Sequence, residues 1–359
     1  MQDLIENTGS TSGSGNWPSD GLESLAQCPV CGGREKTLLY SGLTDRIYHC
    51  APGEWDLFRC SHCDSAYLDP RPNCETIGIA YRKYFTQEVA VPDYQRNVDS
   101  TGGNFRQALR NDYLNARYSS SLFPTHRLGR ILLPLIPPLR ERADRWIRHL
   151  PSPRPGARLL EIGCGNGGFL LAMRDMGWDV QGLEPDVKAA QVARSHGLSV
   201  VDGVLTPGLF AEASFDAISL HHVVEHLHNP FEALELCLNL LRPSGTISVI
   251  APNLASRGSR NFGRNWYHLD PPRYLVVSTT RSLVDALKRC GFGKVTAHAS
   301  FFIAASVFRD SAKLEAESGG SACYGSQHVK GRFVRLSNLL ASLSPSASEE
   351  AVVTATRPA

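Results

Sequence analysis

A run of glycines in the middle of the chain has the spacing of a ligand-binding turn. The apolar segment Arg158–Ile162 ends at Gly163, and Gly165, Gly167 and Gly168 follow before a helical pattern begins. Glycine lets a chain turn sharply and lets a ligand approach the backbone closely, because it has no Cβ atom. The unpaired N–H groups of a helix that starts there would face the ligand. Three of these glycines also satisfy G-x-G-x-x-G, the dinucleotide fingerprint, which by itself is weak evidence.

An acidic residue stands at the end of the next apolar segment. Glu184 follows residues 179–183, which have the composition of a buried strand. A carboxylate at this position can accept hydrogen bonds from both hydroxyls of a ribose, which suits NAD and S-adenosylmethionine (SAM) equally. The glycine turn and Glu184 therefore predict a nucleoside-containing cofactor of one of these two kinds.

Two pairs of cysteines predict a metal site. Cys28 and Cys31 form one C-x-x-C pair, and Cys60 and Cys63 form another. Two such pairs a few tens of residues apart are typical of a zinc ribbon, in which four thiolates bind one ion tetrahedrally. Because four thiolates leave no open coordination position, we predict a structural Zn²⁺. His49 or Cys50, between the pairs, could replace one ligand.

A histidine-rich segment offers groups for acid–base chemistry. His221, His222, Glu225 and His226 follow an apolar segment that ends at residue 220. A histidine titrates near neutrality, which a general base requires. The i, i+3, i+4 spacing of three of these residues would place them on one helix face. A buried histidine that only fixes the loop is an equally weighted alternative for His226. Further candidate bases are His268 and Asp270.

These residues need a framework that brings distant segments to one edge. From residue 158, apolar segments alternate with helical patterns, which predicts a parallel sheet with helices on both faces. The predicted strands are residues 158–162, 179–183, 198–201, 215–220, 246–250, 294–300 and 351–356. The predicted helices are residues 77–85, 105–118, 140–150, 166–176, 187–195, 230–241, 280–290 and 333–343.

Composition excludes several classes of function. The 359 residues suffice for one large domain and a smaller one. A formal net charge of +2 does not indicate a nucleic-acid partner. We find neither a signal peptide nor a run of about 18 apolar residues that would predict a transmembrane segment. Ten cysteines without an export signal favour thiols or metal ligands over disulfides, so we expect a cytoplasmic protein.

Several motifs together resemble one enzyme family. Glu161 and the glycines form E-x-G-x-G-x-G, which resembles motif I of the class I SAM-dependent methyltransferases. Residues 214–230 and 240–246 resemble the segments that flank this family's fourth strand and precede its fifth. Residues 261–266 and 270–275 resemble a segment over the acceptor site in the ubiquinone-pathway-like, type 11–23 group. The double C-x-x-C also recurs in bacterial members of the superfamily. The resemblance covers roughly residues 158–300.

The resemblance implies an α/β fold: a Rossmann-like seven-stranded SAM methyltransferase sheet with a small N-terminal zinc-ribbon-like module. It implies methyl transfer from SAM to a hydroxyl (less favourably to carbon or nitrogen) of a small metabolite, glycan or lipid-like intermediate. The catalytic candidates are His226, His222 and Glu225. The cofactor-binding residues it implies are Glu161, Gly163, Cys164, Gly165, Gly167, Glu184, Asp202, Gly203 and His221.

Two departures from the family pattern concern the acceptor site. Some ubiquinone-pathway relatives bind a divalent metal here with two carboxylates and a histidine. His222 replaces the first carboxylate, which disfavours Mg²⁺, since hard cations prefer oxygen ligands. Tyr274 stands where family members often carry a histidine, so that position supplies no base.

We predict four regions along the chain. Residues 1–22 are rich in serine and glycine and are expected to be disordered. Residues 23–70 form the zinc-ribbon-like module, residues 71–155 a helical connector that caps the acceptor site, and residues 156–359 the SAM-binding domain. In the connector, the arginine-rich face of residues 140–150 is expected to be solvated. Peripheral contact of this helix with an anionic membrane is a minor alternative.

Two other functions compete with catalysis on a small molecule. The chain could be a catalytically inactive SAM-fold scaffold with a zinc-ribbon interaction module, although the intact Glu161 motif and Glu184 disfavour loss of the cofactor site. Nucleic-acid methylation would require an N/D-P-P-Y/F motif after the fourth strand. His221 and His222 stand there instead, so no nucleic-acid partner is expected.

Overall fold

In a computed structural model of the chain, residues 16–82, 104–300, 303–318, 340–341 and 344–359 are described. Parts of three predictions lie outside these ranges. They are the disorder of residues 1–15, the end of the helix predicted at 77–85, and almost all of the helix predicted at 333–343.

The N-terminal module is built from short antiparallel strands. They are β1 (Leu22–Glu23), β2 (Lys36–Leu43), β3 (Trp55–Cys60), β4 (Ala66–Leu68) and β5 (Arg71–Pro72). Strand β3 lies between β2 and β4, and β1 pairs with β5. Trp17 is buried and packs edge to face on Trp55, with ring centroids 5.2 Å apart. The described part of the segment predicted to be disordered, residues 16–22, is therefore packed against this module.

Three helices form the described part of the connector. They are α1 (Asn104–Tyr118), α2 (Gly129–Leu135) and α3 (Pro137–Trp146). A Cβ on Gly129 would lie 2.0 Å from the backbone oxygen of Leu109, so α2 lies directly on α1. Helix α3 begins and ends earlier than the predicted 140–150. The prediction of a solvated arginine face on this helix is wrong in part, because Arg145 and Arg148 are buried.

The remaining strands follow the predicted alternation. They are β6 (Arg158–Ile162), β7 (Asp179–Glu184), β8 (Ser199–Asp202), β9 (Phe215–His221), β10 (Leu241–Pro252), β11 (Val276–Val277), β12 (Gly293–His298) and β13 (Glu350–Thr356). All except β11 form one seven-stranded sheet in the order β8-β7-β6-β9-β10-β13-β12. Strand β13 runs antiparallel to β10 and β12, and the other six strands all run in one direction. This confirms the predicted α/β fold class.

Helices cover both faces of this sheet. They are α4 (Gly168–Asp175), α5 (Val187–Ser195), α6 (Pro230–Leu240), α7 (Arg257–Phe262), α8 (Thr280–Arg289) and α9 (Ala304–Glu317). Successive side chains of a strand point to opposite faces. Leu159 accordingly packs with α4, α5 and the connector helices, and Leu160 packs with α6 and α8. The result is a three-layer arrangement whose strand ends meet at one edge.

The N-terminal module is not a separate body. Strand β11 pairs with β4, so the module's sheet ends on a strand of the larger domain. The backbone N–H of Leu68 donates to the carbonyl of Leu275 at 3.1 Å. Trp55 and Leu57 belong to the same hydrophobic core as Leu160. Among the residues described, no helix has the length and apolarity needed to cross a membrane.

Candidate active site

The glycine turn after β6 faces an open crevice. A Cβ on Gly165 would meet no atom within 4 Å, and the same holds for Gly203 after β8. Both glycines have positive φ angles, +54° and +128°, which glycine adopts without strain. The turn therefore leaves backbone accessible at the carboxyl ends of β6 and β8, where ligands bind in open α/β sheets.

Glu184 is anchored at the same edge by two backbone amides. Gly165 N–H donates to its Oε2 at 2.7 Å, and Asp186 N–H donates to its Oε1 at 3.0 Å. Asp186 in turn caps α5, since its side chain accepts from the amide of Lys188 at 2.9 Å. Burial raises the pKa of Glu184, while the amide hydrogen bonds oppose this rise. The carboxylate thus has one fixed orientation beside the turn.

Glu161 lies beneath the turn and pairs with an arginine of the connector. Arg148 Nη1 is 2.6 Å from Glu161 Oε1, and the guanidinium also donates to Ser219 Oγ at 2.7 Å. It lies over the ring of Phe169, 3.5 Å from the centroid. Burial raises the pKa of Glu161 to about 7, against the effect of Arg148. Its Oε2 is buried and has no hydrogen-bond partner among the described residues.

Two predicted cofactor residues are placed differently from the others. Cys164 points away from the crevice, because a Cβ on Gly182 would lie 2.5 Å from its Sγ, in the core beneath the turn. Only the backbone of Cys164 can meet a ligand. Asp202 is exposed and pairs with Arg194 of α5.

His222 is held between two carboxylates. It has a positive φ of +54°, which is uncommon outside glycine. Its Nδ1 is 2.9 Å from Glu225 Oε1, and its Nε2 is 3.2 Å from Oε1 of Glu350 at the start of β13. Burial opposes the charged form, but these hydrogen bonds raise the pKa of His222 to about 9. His222 is therefore an imidazolium at neutral pH.

Glu350 is the centre of this buried network. Arg145 Nη2 donates to Glu350 Oε1 at 2.7 Å, and Ser300 Oγ donates to its Oε2 at 2.6 Å. The same Arg145 nitrogen is 3.0 Å from His221 Nε2. One potential metal-ligand atom from each of His221, His222 and Glu350 lies within 4.8 Å of the other two. The arginine cation already occupies the side of this group that a metal ion would need, so this trio does not fit a metal centre.

His226 lies apart from His222 despite the predicted shared face. The segment forms only a short 3₁₀ turn, Val224–His226, rather than a helix. His226 Nδ1 is 2.8 Å from the hydroxyl of Tyr81 and 3.1 Å from the carbonyl oxygen of Arg273. The carbonyl oxygen only accepts, so this contact favours the tautomer with the proton on Nδ1 and the lone pair on Nε2, whereas the Tyr81 hydroxyl can donate or accept. Burial lowers the pKa of His226, which keeps the ring neutral.

The backbone around His226 is fixed by a second ion cluster. Arg273 is fully buried; its Nε donates to Asp270 at 2.8 Å and its Nη1 donates to Asp45 at 3.0 Å. Asp270 is thus occupied by an ion pair rather than available as a base. His268 is buried beside His222, and burial lowers its pKa to about 3.

The four cysteines of the two C-x-x-C pairs converge. Their Sγ atoms all lie within 4.8 Å of one another, with Cys28–Cys63 at 3.7 Å and Cys31–Cys60 at 3.5 Å. Four sulfurs about 2.3 Å from a tetrahedral Zn²⁺ would be about 3.8 Å apart, which fits. The hydrogen bond from Cys28 lowers the pKa of the Cys63 thiol to about 5. The backbone amides at positions 33 and 62 each lie 3.4 Å from a cysteine sulfur.

Sequence reasoning missed four residues of the site: Arg145, Arg148, Glu350 and Tyr81. The two arginines were noticed only as part of a basic surface. Glu350 is the first residue of β13 and directly precedes the predicted strand 351–356, and an acid next to an apolar segment is a weak signal. Nothing in the residues around Tyr81 indicates its contact with His226.

Comparisons with known proteins agree with this geometry. A family profile described as a methyltransferase domain matches residues 138–297. The ubiquinone biosynthesis O-methyltransferase of Sinorhizobium fredii is 37% identical over 139 residues, covering 36% of this chain and 55% of that protein. The protein of the same name from Roseobacter denitrificans is 35% identical over 187 residues, covering 48% of this chain and 74% of that protein. In the first matches, this chain spans about half the length of the relatives, 55% or 44%.

A solved SAM-dependent methyltransferase from Archaeoglobus fulgidus is 20% identical, with 68% of this chain and 99% of that chain covered, at a TM-score of 0.41. The sheet order and the glycine turn are those of α/β proteins whose strand ends form a crevice for a nucleoside cofactor. The relative from Roseobacter denitrificans, 35% identical with 74% of its length covered, identifies the family. The chain belongs to the class I SAM-dependent methyltransferases.

Proposed function

We propose that this chain transfers the methyl group of SAM to a hydroxyl of a small molecule, namely a metabolite, glycan or lipid-like intermediate. SAM, when bound, supplies a methyl group that a positively charged sulfur has already activated. The protein must then bind the nucleoside in one orientation and take the proton from the acceptor. The choice of oxygen as acceptor atom is supported by the relatives, whose printed names are O-methyltransferases.

The crevice at the ends of β6, β7 and β8 is the observation that carries this proposal. Gly165 and Gly203 border open space, so a ligand can lie against the backbone. The orphaned Oε2 of Glu161 would accept a hydrogen bond from the α-amino group of SAM. Glu184 would accept from the ribose hydroxyls, and Asp202 would lie near the adenine. His221, at the end of β9, would lie near the sulfonium.

Among the catalytic candidates, we assign the general base to His226. His222 cannot accept a proton at neutral pH, because two carboxylates keep it charged. Glu225 is engaged by His222 through Oε1 alone, and its buried Oε2 has no hydrogen-bond partner among the described residues. The lowered pKa of His226 leaves it neutral, and in the tautomer that donates from Nδ1 to the Arg273 carbonyl, Nε2 is the atom that would take the acceptor's proton.

Isothermal titration with SAM tests the cofactor site. Glu184→Ala should weaken SAM binding about 10-fold to 100-fold, because a charged hydrogen-bond acceptor contributes roughly 1.5–3 kcal/mol. Glu212→Ala, which removes an exposed acid outside the crevice, is the matched control and should bind like the wild type. No detectable heat for the wild-type chain at millimolar SAM would remove the proposal and leave the inactive scaffold as the explanation.

The base assignment is tested once extracts incubated with labelled SAM have yielded a methylated product. His226→Gln should lower kcat about 100-fold or more without changing the SAM affinity. His222→Gln is the comparison, since it removes a charged ring rather than a base. A greater loss of kcat in His222→Gln than in His226→Gln, at equal stability, would contradict the assignment.

We further propose that Cys28, Cys31, Cys60 and Cys63 bind one structural Zn²⁺. Two observations support the proposal. The distances between the sulfur atoms fit a tetrahedral Zn²⁺ site, and four thiolate ligands would leave no coordination position open for a substrate. Elemental analysis of the purified chain should find about one zinc per chain. Cys60→Ser should lose the metal and unfold at lower urea, whereas Cys74→Ser, at an exposed cysteine, should keep both properties. Full stability of the metal-free wild type would contradict a structural role.

A further inference from the structure

Helix α2 and the residues around it expose an apolar surface that no other described residue covers. We call Phe123, Leu128, Ile131, Leu132, Leu135, Ile136 and Leu139 the hairpin surface. All seven are exposed, with Phe123 at 86%, Leu135 at 73% and Ile131 at 55%. The other large exposed apolar side chains among the described residues lie on other segments of the chain, and one of them, Phe105 of α1, contacts His126 at 5.1 Å between ring centroids. Contiguous apolar surface of this kind marks an interaction site.

Most apolar side chains of α2 lie on the side of the helix that faces away from the rest of the described chain. Gly129 and Leu133 are its buried residues and contact the rest of the connector. At 3.6 residues per turn, Leu128, Ile131, Leu132 and Leu135 fall within an arc of about 100° on the opposite side. A helix on a protein surface normally presents polar residues there. The outward side of α2 is therefore built for contact with something apolar.

The charges next to the hairpin surface are almost all positive. Between residues 119 and 142 the chain has four arginines and a single acid, Glu141, whose side chain is mostly buried. Arg130 is paired with Asp112 of α1, at 2.7 Å. Arg127, Arg140 and Arg142 flank the apolar residues in the sequence, and Arg140 lies 3.2 Å from the carboxylate of Glu141. The surface thus combines apolar side chains with a basic border.

We propose that the hairpin surface, with its border of Arg127, Arg140 and Arg142, docks the chain onto the interface of an anionic lipid bilayer. Apolar side chains would enter the boundary between headgroups and acyl chains, and the arginines would lie at the level of the lipid phosphates. A second copy of this chain fits less well, because an isologous contact would bring each basic border against its own copy. The proposal is independent of the methyl acceptor and of SAM binding.

Vesicle sedimentation of the full chain tests the proposal. We expect binding to vesicles of phosphatidylcholine with about 30% phosphatidylglycerol, and little binding to phosphatidylcholine alone, since the attraction depends on anionic lipid. Arg127→Gln with Arg142→Gln should weaken binding roughly 30-fold at low salt. Ile131→Ser with Leu135→Ser should weaken it about tenfold or more.

The chain offers a matched control for the apolar substitution. Leu38 on β2 is 54% exposed, nearly the same as Ile131, but lies outside the hairpin surface. Leu38→Ser should therefore bind vesicles like the wild type, while Ile131→Ser alone should bind more weakly. Melting curves of all variants check that each is folded.

Three results would overturn the proposal. The first is absence of wild-type binding to anionic vesicles. The second is equal binding by the wild type and the Ile131→Ser, Leu135→Ser variant. The third is a stable dimer in light scattering that this double variant dissociates, since the surface would then be an interface between copies of the chain.

Discussion

The charged state of His222 makes a quantitative prediction about stability. Glu225 and Glu350 raise the pKa of this buried ring from 6.5 to about 9, despite the cost of burial. A rise of that size corresponds to roughly 3 kcal/mol of stabilisation. Because the folded-state pKa lies above the unfolded value, this stabilisation is complete below about pH 6.5 and is lost as the pH rises through 9. We therefore expect His222→Gln to cost most at low pH and least at high pH.

Urea unfolding at several pH values from 6.5 to 9.5 measures this directly. The difference in unfolding free energy between the wild type and His222→Gln should shrink by roughly 3 kcal/mol across that range. Comparing the two proteins at each pH cancels the contributions of groups that titrate in both. Glu161 and Glu349 are two such groups, because burial raises their pKa values to about 7. His196→Gln, at an exposed histidine on the surface, is the control and should change the free energy of unfolding little.

A difference that stays constant from pH 6.5 to 9.5 would refute the reasoning, because His222 would then carry no extra proton in the folded state. A difference in unfolding free energy that grows with pH would contradict the predicted rise in the pKa of His222 more strongly. It would mean that burial outweighs both carboxylates and that the ring is neutral. His222 would then return as a candidate base, and the choice of His226 would lose its main support.

Three further predictions concern stability and can be measured by urea unfolding. Gly167→Ala should lower the free energy of unfolding by about 1–3 kcal/mol more than Gly208→Ala. The two glycines have similar φ angles, +82° and +79°, but a Cβ at 167 would lie 2.3 Å from a methyl of Leu198, whereas a Cβ at 208 would meet no atom within 4 Å. Arg145→Met should cost about 3–5 kcal/mol by removing the closest cation from the buried Glu350 carboxylate, whereas Arg140→Met, at a partly exposed pair on the same helix, should cost less than about 1 kcal/mol. Trp17→Ala should cost about 3–5 kcal/mol, and no loss at all would restore the prediction of a disordered start.

Local patterns were sufficient to predict most of the framework. Strands β6, β7 and β9 are short apolar segments bounded by turns, and their bounds agree with the predictions to within one residue. Helix α5 begins after Asp186, whose capping role follows from residue type alone. The cysteine pairs converge because each pair is held on its own tight turn. All of these features depend on residues that are close together in the chain.

The buried ion network could not be predicted in the same way. Arg145 and Glu350 are 205 positions apart, and they meet only because β13 inserts beside β10 in the sheet. The arginines of the connector were assigned to a solvated surface, since composition cannot distinguish an arginine that faces water from one that enters a site. The packing of Trp17 was missed for a related reason, because its neighbours in the sequence are polar while its partner Trp55 lies on another strand.

The two histidines at positions 222 and 226 illustrate why the site had to be built from contacts. In the sequence they are the same residue type within one short motif. In the structure one lies between two carboxylates, while the other lies against a backbone carbonyl and the ring of Tyr274, 4.9 Å between centroids. Environments that push two pKa values apart separate a fixed charge from an acid–base group. The N-terminal module contributes to that separation, since Tyr81 follows it directly and Asp45 within it holds Arg273, whose carbonyl accepts from His226. The proposed zinc site would thus stabilise the module that helps to orient His226, the proposed base.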